Sequence, residues 1–219
     1  MCEWHNMANP KITIIDYGVG NLQSLKKAFN FCGIEAAVSE DAEAILKSDA
    51  VVLPGVGSYE AGMRGLKVRD LVDAVKNFAI QNKPMLGICL GAQLMLSEGH
   101  EFGIFNGLDI MPGKVARFSG LMDNEKIPQM GWNKIYMPKG ASWQGTILDS
   151  IPEELLDVYF VHSYILAPDK KENIFGLTTY GGLEFCSIIK HGNIYGCQFH
   201  PEKSGEIGLK IIKNFINTI

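Results

Sequence analysis

The sequence is short of several features that would have settled its class at once. Its 219 residues hold only five cysteines, Cys2, Cys32, Cys89, Cys186 and Cys197. That number is odd and no Cys-x-x-Cys occurs, which argues against a secreted disulfide framework and for a reducing cytoplasm. The five histidines form no HExxH and no Cys/His cluster, so neither a metal site nor a cofactor is expected. Positive charge is not in surplus: the net charge is −4, which leaves no electrostatic footprint for nucleic acid. No apolar run is long enough to cross a membrane; the best, residues 85–96, is short and contains Gln93. The opening MCEWHNMANP has neither the charged start nor the apolar stretch of a signal peptide. Residues 1–10 are expected to be a loose tail, with Met7 as a second candidate start, ahead of one domain spanning 11–219. Linkers, low-complexity tracts and internal repeats are missing as well.

What is present is strand alternating with helix. KITIIDYG is a β-branched run ending at Asp16 and followed by a glycine turn. In NLQSLKKAFNFCG, residues Leu22, Leu25, Ala28, Phe29 and Cys32 share one helical face, and Gly33 ends the helix. AVVLPGVG is a second buried strand, RDLVDAVKNFAIQNK an amphipathic helix, and PMLGICLG a third strand, with AQLMLSEG continuing as helix. Continuous apolar strands of this kind belong to a parallel sheet covered on both faces. The second half reads differently. LDIMPGKVARF, NKIYM, DVYFVHSYIL, NIFGLTTY, EFCSIIK and NIYGCQFH are closely spaced strands, with hairpin turns at YGGLE and KHGN. GEIGLKIIKNFI closes the chain as a helix. The expectation is an α/β fold, mostly parallel and flanked by helices, that gains antiparallel strands late.

In open parallel sheets, ligands bind beyond the carboxyl ends of the strands. DYGVGN, LPGVG and GICLG all sit at such ends. In the last, Gly87 and Gly91 flank Cys89 at a strand-to-helix corner, the arrangement that presents a nucleophile on a sharp turn. The following helix start offers free N–H groups and a positive dipole end, which favour a thiolate, and the N–H of Leu90 is placed to hold an oxyanion. Taken alone, the motif leaves a buried structural cysteine as an equal alternative. A thiolate nucleophile needs a proton shuttle, and CQFHPEKS supplies His200 at another strand end. Pro201 is expected to keep His200 extended, which would let Glu202, two residues on, turn its carboxylate to the imidazole. The Gly18-Val19-Gly20 run fails as a dinucleotide fingerprint, because the sixth position is Gln23 rather than glycine.

Together these motifs resemble the class I, or triad, glutamine amidotransferases. DYGVGNLQSL, LPGVGSYEAGM, PMLGICLGAQLM, QMGWN, YFVHSY and GCQFHPEKSGEIG carry the resemblance from Asp16 to Gly208. It implies a flavodoxin-like core and a catalytic triad of Cys89, His200 and Glu202. Cys89 would attack the side-chain amide of glutamine, with the oxyanion held by Leu90 N–H and by the Pro54, Gly55, Val56, Gly57 backbone. Gly57, Gln93, Glu101, Ser163 and Tyr164 match substrate contacts. Without the resemblance, Gln93 would be an ordinary exposed helix residue and Ser163 an ordinary strand end. The stretches further resemble the branch whose separate (β/α)₈-barrel synthase subunit takes up the ammonia and makes imidazole glycerol phosphate in histidine biosynthesis. Asn21, Trp132, Asn133, Tyr159 and Lys203 match its partner face, although Trp132 and Tyr159 suit a core equally well and Lys203 suits a solvated surface. A paralogue feeding a surface-sugar enzyme, or an inert binding scaffold, are the competing readings. Ala92, Gln129 and Ile165 depart from the pattern and are expected near the partner face or in helix packing, away from the triad.

Overall fold

The computed structural model describes residues 10–122 and 125–219. The tail expected over residues 1–10 lies, but for Pro10, outside the described residues. The chain runs through β1 (Ile12–Ile15), α1 (Leu22–Phe31), β2 (Ala37–Ser39), α2 (Ala42–Leu46), β3 (Ala50–Leu53), α3 (Tyr59–Lys67) and α4 (Val72–Ile80). It continues through β4 (Met85–Ile88), α5 (Leu90–Leu94), β5 (Leu96–Gly99), β6 (Phe105–Asn106), β7 (Met111–Arg117), β8 (Gln129–Lys134), β9 (Asp157–His162) and β10 (Tyr164–Pro168). β11 (Ile174–Tyr180), β12 (Leu183–His191), β13 (Ile194–Cys197) and α6 (Gly205–Ile216) complete it. Among the described residues no helix is long and apolar enough to cross a membrane.

Eleven strands form one sheet in the order β2-β1-β3-β4-β13-β12-β10-β7-β5-β6, with β11 also paired to β12. The block β2-β1-β3-β4-β13 is parallel throughout. From β12 onward antiparallel pairing takes over, interrupted by the parallel β5–β7 pair. The central strands β1, β3, β4 and β13 are buried along their whole length. This matches their unbroken apolar sequences, since helices cover both faces. One core layer holds Phe29, Phe199, Ile212 and Phe215; the other holds Tyr59, Leu66, Phe78 and Leu94. Apolar periodicity explains the helices: α1 buries Leu25, Ala28 and Phe29, and Asn21 caps it by accepting from Ser24 N.

Four readings of the sequence need correction. AQLMLSEG is not one helix: α5 stops at Leu94, and Leu96–Gly99 is strand β5, paired in parallel with β7. Local periodicity could not see β7, and long-range pairing overrides helical spacing. DVYFVHSYIL is two strands broken at Ser163. β9 pairs only with β8 in a separate ribbon, whereas β10 joins the main sheet. The strand expected in NKIYM starts earlier, at Gln129, and ends at Lys134. Finally, α3, β2 and α2 were not foreseen, although Ser58 caps α3 by accepting from Ala61 N, a sequence signal that was there to use.

Candidate functional site

Because β3, β4 and β13 are adjacent and parallel, the segments leaving their carboxyl ends meet. They are Pro54–Gly57, Cys89 and Gln198–His200. Cys89 turns the corner from β4 into α5 at φ 52°, a left-handed conformation rare for a side chain of this type. Its N–H donates to Cys197 O at 2.7 Å, which ties the corner to β13. The corner is tight. A Cβ on Gly91 would collide with the carbonyl oxygen of Leu53, and one on Gly87 would lie 2.9 Å from Ala92 Cα. Gly55 is equally hemmed in, with Leu90 Cβ 2.7 Å and Gly91 N 2.8 Å from the place a Cβ would take. The three glycines therefore let α5 sit directly against the segment after β3. The Tyr17 hydroxyl, fully buried, donates to the Pro54 carbonyl and pins the start of that segment. Its far end is open: Gly57 has φ 101° with nothing packed where a side chain would go, and Val56 is exposed. α5 has only five residues, too short for the macrodipole expected there; what it offers is the local unpaired N–H of its first turn.

His200 leaves β13 in extended conformation, but the next residues do not stay extended. Pro201–Lys203 is a 3₁₀ turn, because Pro201 fits the first helical position. That turn, rather than strand alternation, swings Glu202 back so that its Oε1 lies 2.8 Å from His200 Nδ1, with both side chains buried. The His200 backbone is clamped as well: its N–H donates to Tyr159 O at 3.0 Å, and its carbonyl accepts from Ser204 Oγ at 2.6 Å. His200 Nε2 is buried without a hydrogen-bond partner and belongs to the cavity that Cys89 lines. Burial pulls the ring's pKa down. The Cys89 sulfur and the hydrogen-bonded Glu202 carboxylate outweigh that pull and push it up to about 9. At neutral pH the ring is therefore an imidazolium beside the sulfur.

The cavity has a volume of about 310 Å³ and is lined by Val56, Gly57, Cys89, Leu90, Gln93, Glu101, Pro128, Val161, His162, Ser163, Tyr164 and His200. Every substrate-contact candidate thus reaches one space. Gln93 is buried, not the exposed helix residue its spacing alone would allow, and its Nε2 donates to Tyr164 O at 3.2 Å and to Gln198 Oε1 at 3.1 Å. Glu101 is held by Tyr59 N, which donates to its Oε2 at 2.6 Å at the start of α3. Ser163 lies at the break between β9 and β10, where its carbonyl accepts from Phe118 N at 3.2 Å.

Sequence reasoning passed over His162, Gln198 and Ser204, although all three lie in stretches it quoted. His162 is enclosed by the rings of Phe118, Phe160 and Phe185. Its Nδ1 donates to Tyr164 O at 2.8 Å, and its Nε2 meets the Gln129 side-chain amide at 3.0 Å. Gln129 is therefore an inner residue behind the His162–Tyr164 segment rather than a partner-face residue, which corrects that expectation. Burial lowers the His162 pKa to about 4, against a raising effect from the Tyr164 carbonyl. A histidine held neutral in the fold is protonated first in the unfolded chain. Stability is thus whole above the ordinary value near 6.5 and is lost as pH falls towards 4. At about 1.4 kcal/mol per pH unit, the loss reaches roughly 3 kcal/mol. Chemical denaturation at a series of pH values should show this slope in the wild type and a flatter one in His162→Gln; equal slopes would remove His162 as its source.

On the outer face, Trp132 is 57% exposed and meets Tyr159 edge-on, their ring centroids 6.2 Å apart, so it is no core aromatic. Met130, on the same face of β8, is also exposed. Lys203 is exposed beside Glu202, and Asn21 is half-buried at the α1 cap. Asn133 turns inward, its Nδ2 donating to Thr179 O at 2.9 Å.

With this geometry in place, residues 13–219 match the family model of glutamine amidotransferase class-I. The chain belongs to the class-I glutamine amidotransferase family. Over 204 residues, 93% of this chain and 98% of the relative, it is 44% identical to the imidazole glycerol phosphate synthase subunit HisH of Chlorobaculum tepidum. It is 42% identical to the HisH subunit of Lactococcus lactis over 210 residues, 95% of this chain and 99% of that one. PurLQS from Thermotoga maritima shares the fold, with a TM-score of 0.69 at 18% identity over 95% of this chain and 98% of that one.

Proposed function

We propose that this chain is the glutaminase subunit of an imidazole glycerol phosphate synthase, hydrolysing L-glutamine and passing the ammonia to a (β/α)₈-barrel synthase subunit in histidine biosynthesis. The observation that carries the reading is the convergence, on one cavity, of Cys89 at a strained strand-to-helix corner and His200 locked to Glu202. Cys89 Sγ attacks the amide carbon of glutamine. The oxyanion is held by Leu90 N–H and by the Pro54–Gly57 backbone. The His200 imidazolium gives its proton to the departing nitrogen, leaving ammonia and a glutamyl thioester. His200 then takes a proton from water, which attacks the thioester and releases glutamate. Glu202 keeps the ring oriented. Glu101, Gln93, Ser163 and Tyr164 hold the amino-acid end of the substrate, Glu101 by pairing with its ammonium. We place the reaction in the cytoplasm, which suits the unpaired thiols of Cys32, Cys89, Cys186 and Cys197.

The partner face is read as the apolar patch around Trp132 and Met130, with Asn21, Tyr159 and Lys203 around it; Asn133, on the other face of β8, bonds to β11 instead. The Pro54–Gly57 segment is where a partner would switch the site: Tyr17 pins its first carbonyl, while Val56 is exposed and nothing is packed against the Gly57 Cα. One oxyanion donor is worth about 10²–10³ in rate. Glutamine hydrolysis by the purified chain alone should therefore rise by about that factor when the (β/α)₈ synthase and its nucleotide ligand are added. Full turnover without any partner would overturn the switching part of the proposal.

A further inference from the structure

Gln198 has no part in the reading above, yet it is wholly buried and its side chain lies between Gln93 and the Cys89 sulfur. Which end of its amide faces the sulfur follows from the neighbours. The Tyr164 carbonyl can only accept, and it accepts from His162 Nδ1 at 2.8 Å and from Gln93 Nε2 at 3.2 Å. That turns the NH₂ of Gln93 inward, so its second N–H reaches Gln198 Oε1 at 3.1 Å. The carbonyl of Gln198 is thereby committed to Gln93, and its NH₂ is left to donate to Cys89 Sγ, at 3.9 Å. The sulfur also faces the Val161 carbonyl, at 4.0 Å, which can accept only from the thiol; the Gln198 amide is the donor that works the other way, since a donor aimed at sulfur favours the thiolate.

We propose that Gln198 is a positioning residue for the reaction: its amide holds the Cys89 sulfur as a thiolate and links that sulfur to Gln93, so that seating glutamine and preparing the nucleophile are coupled. The proposal deepens the glutaminase reading and rests on it in taking Cys89 as the reacting atom. The link is made only in the folded chain, since Gln198 and Cys89 are 109 positions apart.

The test is alkylation by iodoacetamide, with the rate at Cys89 followed by peptide mass mapping in the full-length chain. Gln198→Met keeps the length and removes the donor. Near pH 7 it should alkylate about tenfold more slowly than wild type, the effect of one hydrogen bond to a charged group. At about pH 10, where cysteines ionise without help, the two rates should come together. A folded Met variant alkylating at the wild-type rate near pH 7 would overturn the proposal, and so would a deficit that persists at about pH 10, which would mark a packing defect. If Gln198→Met does not fold, Gln93→Met releases the Gln198 amide without altering residue 198. It should show the same slowing near pH 7 with recovery at about pH 10, and an unchanged rate would overturn the assignment. Ready alkylation of wild-type Cys89 without glutamine hydrolysis, even with the synthase present, would remove the glutaminase reading and leave the Gln198 assignment standing.

Discussion

Cys89→Ala should abolish glutamine hydrolysis, by about 10⁴-fold or more, and leave the fold in place. The size of the effect follows from the loss of the proposed nucleophile, the only sulfur lining the cavity among the described residues; what would remain is binding and oxyanion stabilisation. The fold should survive because alanine keeps the Cβ that the corner already accommodates at φ 52° and gives up a single sulfur at the wall of a cavity. Melting temperature should accordingly stay close to that of wild type, since one small buried group costs about 1 kcal/mol. In complex with the synthase subunit, the variant should still support synthesis when ammonia is supplied in the medium, because that step bypasses this chain's chemistry. Measurable glutaminase turnover at the wild-type rate would show that another group attacks the amide.

Gly91→Ala should have the second largest effect, this time on both stability and rate. The added methyl would run into the Leu53 carbonyl oxygen, and the Pro54 carbonyl oxygen would be 3.0 Å away. Both are backbone atoms of the strand β3 exit, so neither can step aside as a flexible side chain would. α5 must lift off that segment. Overpacking against fixed neighbours costs about 3 kcal/mol, which for a chain of this size lowers the melting temperature by roughly 6–12 °C. The same lift separates Leu90 N–H from the Pro54–Gly57 backbone, the two proposed oxyanion donors, and a displacement of about 1 Å costs on the order of 10²-fold in rate. Thermal melting and glutaminase assays on the one variant test both parts. Wild-type values in both would mean that the close approach of α5 to β3 does not shape the site.

These two residues show how unevenly the molecule could be read from its sequence. Around Cys89 and Gly91 the reading was local. An apolar run, two glycines and a second apolar run describe a strand, a corner and a helix without reference to anything else. α6 was legible over its full length for the same reason, its apolar residues repeating at helical spacing. The length of α5 was not. Residues 95–98 fit a helix by local pattern, and only the presence of β7 alongside makes Leu96–Gly99 a strand. DVYFVHSYIL looks continuous, yet it belongs to two sheets, and the break at Ser163 exists because β8 is the neighbour on one side and β7 on the other. Glu202 reached the imidazole through a 3₁₀ turn that strand alternation did not describe. Gln129 and Gln198 look like unremarkable polar residues in the chain; burial beside His162 and Cys89 is what gives each a definite hydrogen-bond partner.

By itself the sequence determined the local pieces: which runs are strands of a covered parallel sheet, where the chain turns at glycine, and which residue types stand at the strand ends. Those follow from steric limits and apolar periodicity, which act over a few neighbouring residues. Tertiary structure alone decided which strand ends lie side by side, how far the imidazole's pKa rises, and which way the buried amides face. Such features depend on distances, burial and shared acceptors among groups far apart in the chain, and no short-range pattern carries that information.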